Sequence, residues 1–169
     1  MARVQQRGID PAIPYTGPTV FHTGAAAPPT TTSGTDTTPV VTEEYVAEVF
    51  VPMNAKLTGV ALLNGSAVAG NVTVILYDSN GAIITNSAST AQAGTAGYQQ
   101  IPFAAVYNAK GPAKYFIGLQ FDSTSARLRT HILGNFGAAK KTGQTYGTLT
   151  VLTPPASFTT ALGPIADTY

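Results

Sequence analysis

Asp78-Ser79-Asn80-Gly81, at the centre of NVTVILYDSNGAIITNS (71–87), is where oxygen donors gather at a spacing that suits a metal. A calcium loop of the EF type begins with acidic or amide ligands at alternate positions and closes on a Glu at position 12. Counted from Asp78, position 5 is Ala82 and position 12 is Ser89, so the ligand set fails. The same residues lie between two β-rich runs, and Asn-Gly supplies the positive φ values of a tight turn. We read a hairpin here and expect neither a metal nor another cofactor.

Acid–base chemistry needs two carboxylates in one cleft, or a histidine oriented by one. The acids are Asp10, Asp36, Glu43, Glu44, Glu48, Asp78, Asp122 and Asp167. Three fall in terminal segments, two at one junction and two at strand ends or turns. Glu48 alone sits inside a strand pattern, sharing a face with Val46 and Phe50. Glu43 and Glu44 are neighbours that a strand would point to opposite faces. His22 lies in a segment without regular periodicity, a poor place for positional precision. His131 follows Arg127 and Arg129 in ARLRTHIL, where alternation puts all three on one face, about 6.6–7 Å apart. That cationic ladder is either the solvent face of a strand or a patch for an acidic partner. No G-x-S-x-G elbow, P-loop or G-x-G-x-x-G fingerprint is present. Tyr98, Tyr107 and Tyr146 sit at strand ends or loops, where rings can stack on sugars, but the chain has no tryptophan. The sequons at Asn64 and Asn71 matter only in a secreted chain. The expectation is a protein without catalysis.

What must position these residues is β structure. The 169 residues suit one domain with extensions. Charged residues make up 10% of the chain, against about 25% in ordinary soluble domains. A net charge of +1 argues against nucleic acid as partner, since phosphate binding needs a clustered basic surface. The absence of cysteine removes disulfides, thiolate zinc and thiol nucleophiles. MARVQQRGIDPAIP lacks the apolar region of a secretory signal, and the apolar runs are far too short to span a bilayer. Synthesis in a cytoplasm without a membrane partner is the expectation.

From Tyr45 onward, β-rich runs alternate with Gly, Asn, Pro and Ser clusters: 45–51, 56–63, 72–77, 82–89, 98–103, 114–121, 126–133 and 149–152. About eight short strands at regular spacing predict an all-β, antiparallel, jelly-roll-like β-sandwich over residues 45–152. Residues 1–44, rich in Pro, Gly and Thr, predict an extended N-terminal arm, whose full stretch is roughly 150 Å. Residues 153–169 predict an extended C-terminal tail. Residues 11–35, 79–109 and 142–166 carry no charge at all. A free monomer uses charges for solubility and to blunt its sheet edges, so such stretches suggest either surfaces that meet another protein or a solvated surface rich in Thr, Ser and Asn.

Thr58-Gly59-Val60, Leu76-Tyr77-Asp78-Ser79-Asn80-Gly81 and Tyr115-Phe116-Ile117-Gly118-Leu119-Gln120, with the ending PPASFTTALGPIADTY, carry a family likeness. Over residues 45–169 the chain resembles the jelly-roll structural proteins of tailed bacteriophages. The resemblance implies a virion component: a capsid decoration or cement protein, a head-fibre base or a tail-associated module. It carries over no catalytic residue and does not reach the arm. The implied partners are the major capsid protein or other virion proteins, with a homotrimer as the implied oligomer. We expect the arm to staple capsid subunits. The assembly residues would be Ile9, Ile13, Tyr15, Val20 and Phe21 in the arm and Phe158, Leu162 and Ile165 near the end. The competing expectation is a glycan-binding or adaptor module of a tail fibre or spike.

Overall fold

Thirteen strands and no helix make up the described residues of the computed structural model, which are 21–23, 34–131, 137–153 and 162–169. In chain order the first seven are β1 (Phe21–His22), β2 (Thr35–Thr37), β3 (Glu43–Val51), β4 (Ala55–Leu63), β5 (Asn71–Tyr77), β6 (Ile83–Asn86) and β7 (Thr90–Ala91). The rest are β8 (Tyr98–Ala109), β9 (Ala113–Phe121), β10 (Leu128–His131), β11 (Ala138–Thr142), β12 (Gly163–Pro164) and β13 (Ala166–Thr168). Every pairing is antiparallel.

Two sheets form the sandwich. One has the order β1-β13-β4-β8; the other runs β11-β3-β9-β5-β6, with β7 also on β5. A small third sheet, β12-β10-β2, meets the end of β4 in the smaller sheet through a bridge between Asn64 and Leu128. Period-2 alternation decides which side chains meet between the sheets. From the larger sheet come Tyr45, Val49 and Val51 of β3, Val72, Val74 and Leu76 of β5, and Tyr115, Ile117, Leu119 and Phe121 of β9. Leu57, Val60 and Leu62 of β4 with Ile101 and Phe103 of β8 answer from the smaller sheet. Tyr45 and Phe121 meet edge to face, with centroids 6.5 Å apart.

The all-β sandwich matches the sequence expectation, but its edges differ. Residues 21–23 and 35–37 of the expected arm are strands or bridges of the body, and β3 begins at Glu43 rather than Tyr45. Likewise, residues 163–168 of the expected tail supply β12 and β13, the latter between β1 and β4. Strands this short have no detectable period; their register comes from the partner strand. β8 runs on to Ala109, past a register shift opposite Leu57–Gly59 that bends the edge. Residues 149–152, expected as a strand, belong to none.

Candidate functional site

The DSNG turn closes on itself. Asp78 Oδ1 accepts hydrogen bonds from the backbone N–H groups of Asn80 (2.8 Å) and Ala82 (2.9 Å), and Gly81 takes φ 84°. This is an Asx-type turn between β5 and β6, in which the carboxylate substitutes for a backbone acceptor. Among the described residues no group of three or more His, Cys, Asp or Glu side chains is placed to hold a metal.

His22, far from being loosely placed, is one of the best-anchored side chains. β1 pairs it directly with Asp167 of β13, and its Nδ1–H donates to Asp167 Oδ1 at 2.6 Å. Burial pushes the Asp167 carboxyl above its ordinary range, while the hydrogen bond and charge of His22 pull it back. The next residue, Thr23, is buried and bonded on all sides. Its N–H donates to Ala166 O (2.9 Å), its hydroxyl donates to Pro164 O (2.8 Å), and the Ala166 N–H donates to that hydroxyl (3.1 Å). Thr23 also bridges to Val49 of β3, so residues 21–23 join both sheets. The second histidine converges on the same segment: His131 Nε2–H donates to the Thr23 carbonyl at 3.1 Å. Both histidines of the chain therefore serve to hold residues 21–23.

The alternation expected for ARLRTHIL holds over β10, with Leu128 and Thr130 buried and Arg129 and His131 half-buried on the other face. What faces the cationic ladder is an acid of the chain itself. β2 places Asp36 directly opposite Arg129. Burial alone would raise the Asp36 carboxyl; two hydrogen bonds from Ser66 and the charges of Arg129 and Arg127 hold it below its ordinary value instead. Arg129 Nε and His131 Nδ1 are buried without a hydrogen-bond partner. The internal acid was missed in the sequence because Asp36 falls in the segment read as an arm.

The most elaborate polar cluster was not foreseen. Glu44, fully buried, lies on the outward face of the larger sheet in a row that crosses four strands: Lys141, Glu44, Gln120 and Thr73 are successive cross-strand partners. Tyr77 OH donates to Glu44 Oε1 (2.6 Å) and Gln120 Nε2 donates to Oε2 (3.2 Å). Burial pushes the Glu44 carboxyl above its ordinary value, opposed by these two bonds and by the Lys141 charge. Gly118 makes the cluster possible. A methyl there would lie against Glu44 Oε1 and 2.9 Å from the Tyr77 ring. Over the row runs a strap, residues 144–152, which with Leu152 and Leu149 covers a second apolar cluster of Val46, Ile75, Tyr77 and Phe116.

The expected assembly residues divide sharply. Phe21 and Ile165 are buried in their own chain, and Leu162 packs against the main core at φ 76°, a conformation that leucine rarely adopts. These three are therefore committed internally, because a charge-free segment that returns to its own sandwich spends its apolar side chains there. Ile9, Ile13, Tyr15, Val20 and Phe158 lie outside the described residues. Of the tyrosines considered for sugar stacking, Tyr107 packs edge to face on Tyr115 at 5.9 Å, and Tyr146 OH shares a hydrogen bond with Ser89 (2.7 Å). Tyr98 is exposed at one end of β8.

Fold and cluster geometry together define an antiparallel β-sandwich whose polar clusters cross-link strands and segments to one another. No family model, no curated protein and no solved structure matches the chain.

Proposed function

We propose that the chain is a non-enzymatic structural component of a tailed-phage particle, a capsid decoration or cement protein seated by the segment upstream of Phe21. The observation that carries this reading is the anchoring of residues 21–23. Phe21 sits in the main core, Thr23 ties into both sheets, and both histidines hold the same place. A load applied to residues 1–20 therefore reaches the core of the sandwich. The staple is shorter than the sequence suggested: residues 1–20 reach at most about 70 Å when fully extended. Attachment through such a segment raises the effective concentration of every further contact of the body. Ile9, Ile13, Tyr15 and Val20 are its apolar anchors on the major capsid protein.

Support for contact with other chains comes from residues 79–109. They carry no charge, yet most of Ala88–Asn108 is exposed, including Val106. An uncharged surface of this extent suits a jelly-roll homotrimer. The test compares purified particles assembled with the full chain and with a chain lacking residues 1–20. The full chain should be present in many copies per particle. The truncated chain should be absent from particles while keeping the melting temperature of the whole. Retention of the truncated chain on particles, or absence of the full chain, overturns the proposal.

A further inference from the structure

Residues 144–152 cover part of the outward faces of β3, β5 and β9 without being a strand and without a single charged side chain. Among the described residues, their backbone-to-backbone bonds to the rest of the molecule lie at the ends: Gln144 N–H to Thr42 O and Leu152 N–H to Gly81 O, both 2.9 Å. Between those ends the strap is held by side chains rising from the sheet. Gln120 accepts from Gly147 N–H (3.1 Å) and donates to Thr148 O (3.2 Å). Lys141 Nζ donates to the Thr150 hydroxyl and to Val151 O (2.7 Å), and Tyr77 OH lies 3.2 Å from Thr150 O, an alternative acceptor for the single proton it gives Glu44.

These same three side chains converge on Glu44. Tyr77 and Gln120 donate to its carboxyl, and Lys141 is its cross-strand partner. Most of the polar hold on the strap thus gathers around Glu44, with a further tie where Tyr146 OH meets Ser89 (2.7 Å) and Thr73 (3.3 Å). Gly143, at the start of the strap, takes φ 71° and Gly147 takes φ 77°, and a methyl added at either would meet nothing within 4 Å. Glycine takes φ of either sign readily, so both positions have other backbone conformations open to them.

We propose that residues 144–152 form a strap poised to open as a unit from Gly143, latched by the Lys141–Glu44–Gln120 row. Opening uncovers the apolar strip of Val46, Ile75, Tyr77 and Phe116 and leaves the core between the sheets closed. Local opening of this kind has a free energy below that of global unfolding, because the buried area released belongs only to the outer cluster.

The chain has no cysteine, so single thiols report the two faces of one strand cleanly. Val46 points under the strap and Val49 into the main core, and both are fully buried. Under native conditions a small thiol reagent should label Val46→Cys at least roughly 10-fold faster than Val49→Cys. Adding Gln120→Leu should accelerate labelling of Val46→Cys beyond any change shown by Val49→Cys. Should Val46→Cys fail to fold, Ile75→Cys and Val74→Cys make the same comparison on β5. Equal labelling rates for the two faces, or no selective effect of Gln120→Leu, would mean that the strap moves only when the sandwich unfolds, and the proposal falls.

Discussion

Residues 21–23 and residues 144–152 both lie at the margin of the sandwich, and they are attached by opposite means. The first segment is held by backbone pairing to β13, a bridge to β3 and an aromatic side chain in the main core. The second is held by sheet side chains reaching its carbonyls, over an apolar cluster separate from that core. Backbone pairing with a core anchor makes an attachment inseparable from the fold. Side chains gathered on one carboxyl make it separable. That contrast suits a fixed exit for the N-terminal segment and a movable cover for the sheet face.

The sharpest way to break the comparison is to remove one apolar anchor from each segment. Phe21→Ala empties a place in the main core and should cost about 3–5 kcal/mol, seen as an earlier midpoint in denaturant unfolding. Leu152→Ala empties a place in the outer cluster and should cost about 2–3 kcal/mol globally. Its larger effect should fall on exchange of amides beneath the strap. A global cost for Leu152→Ala that equals or exceeds that for Phe21→Ala would erase the distinction between the regions.

Gly118→Ala addresses the latch. The added methyl meets Glu44 and the Tyr77 ring, and overpacking of this kind costs about 1–3 kcal/mol. Hydrogen exchange should rise first at Leu152, whose N–H is bonded at the end of the strap, while amides between β4 and β8 stay protected. Uniform loss of protection across both sheets would show that the strap and the sandwich open together.

On the other side, His22→Ala leaves the buried Asp167 carboxylate without its partner. The expected cost is about 1–3 kcal/mol near neutral pH. His22→Ala combined with Asp167→Asn should recover part of that loss, because the uncompensated charge is gone. A double variant no more stable than the single one would show that the pair acts through packing alone.

Much of the sandwich was legible in the sequence, for a physical reason. NVTVILY and KYFIGLQF are apolar almost without alternation, as strands buried on both faces must be. The hairpin at DSNG follows from turn chemistry that depends on four adjacent residues. The cover over those strands was not legible, since LTVL has the composition of a strand and its real hold comes from Gln120 and Tyr77, distant in the chain. β11 escaped notice because AAKKT offers no apolar period, and its pairing with β3 is a long-range event. His22 illustrates the same limit. Nothing near it announces a partner, and Asp167 reaches it only through β13, which itself has no local signal. Alternation in ARLRTHIL gave the correct faces, but the acid opposite it came from a segment too short to register as a strand.

The smallest expected effect is the most specific to the latch. Burial holds the Glu44 carboxyl above its ordinary value of 4.5. A carboxyl with a raised folded-state pKa contributes stability that is complete below its unfolded value and is lost as pH rises through the folded one. Unfolding free energy should therefore fall as pH rises past about 4.5, by an amount that Glu44→Gln lacks. Three groups face that carboxyl. Burial of Tyr77 and the adjacent Glu44 charge push the phenol far up, so it stays protonated throughout. Burial lowers Lys141 from 10.5, opposed by Glu44, and Gln120 does not titrate. Asp167, also raised, and Asp36, lowered, are common to both proteins and cancel when the two curves are subtracted. At the acid end Glu44→Gln should cost only about 1 kcal/mol, because Tyr77 can turn its hydroxyl to Thr150 O while accepting from the new amide. A difference curve that is flat from about pH 4 to about pH 8 would show that Glu44 holds its proton equally well in the folded and the unfolded chain. The latch would then have to be assigned to Gln120 and Tyr77 alone.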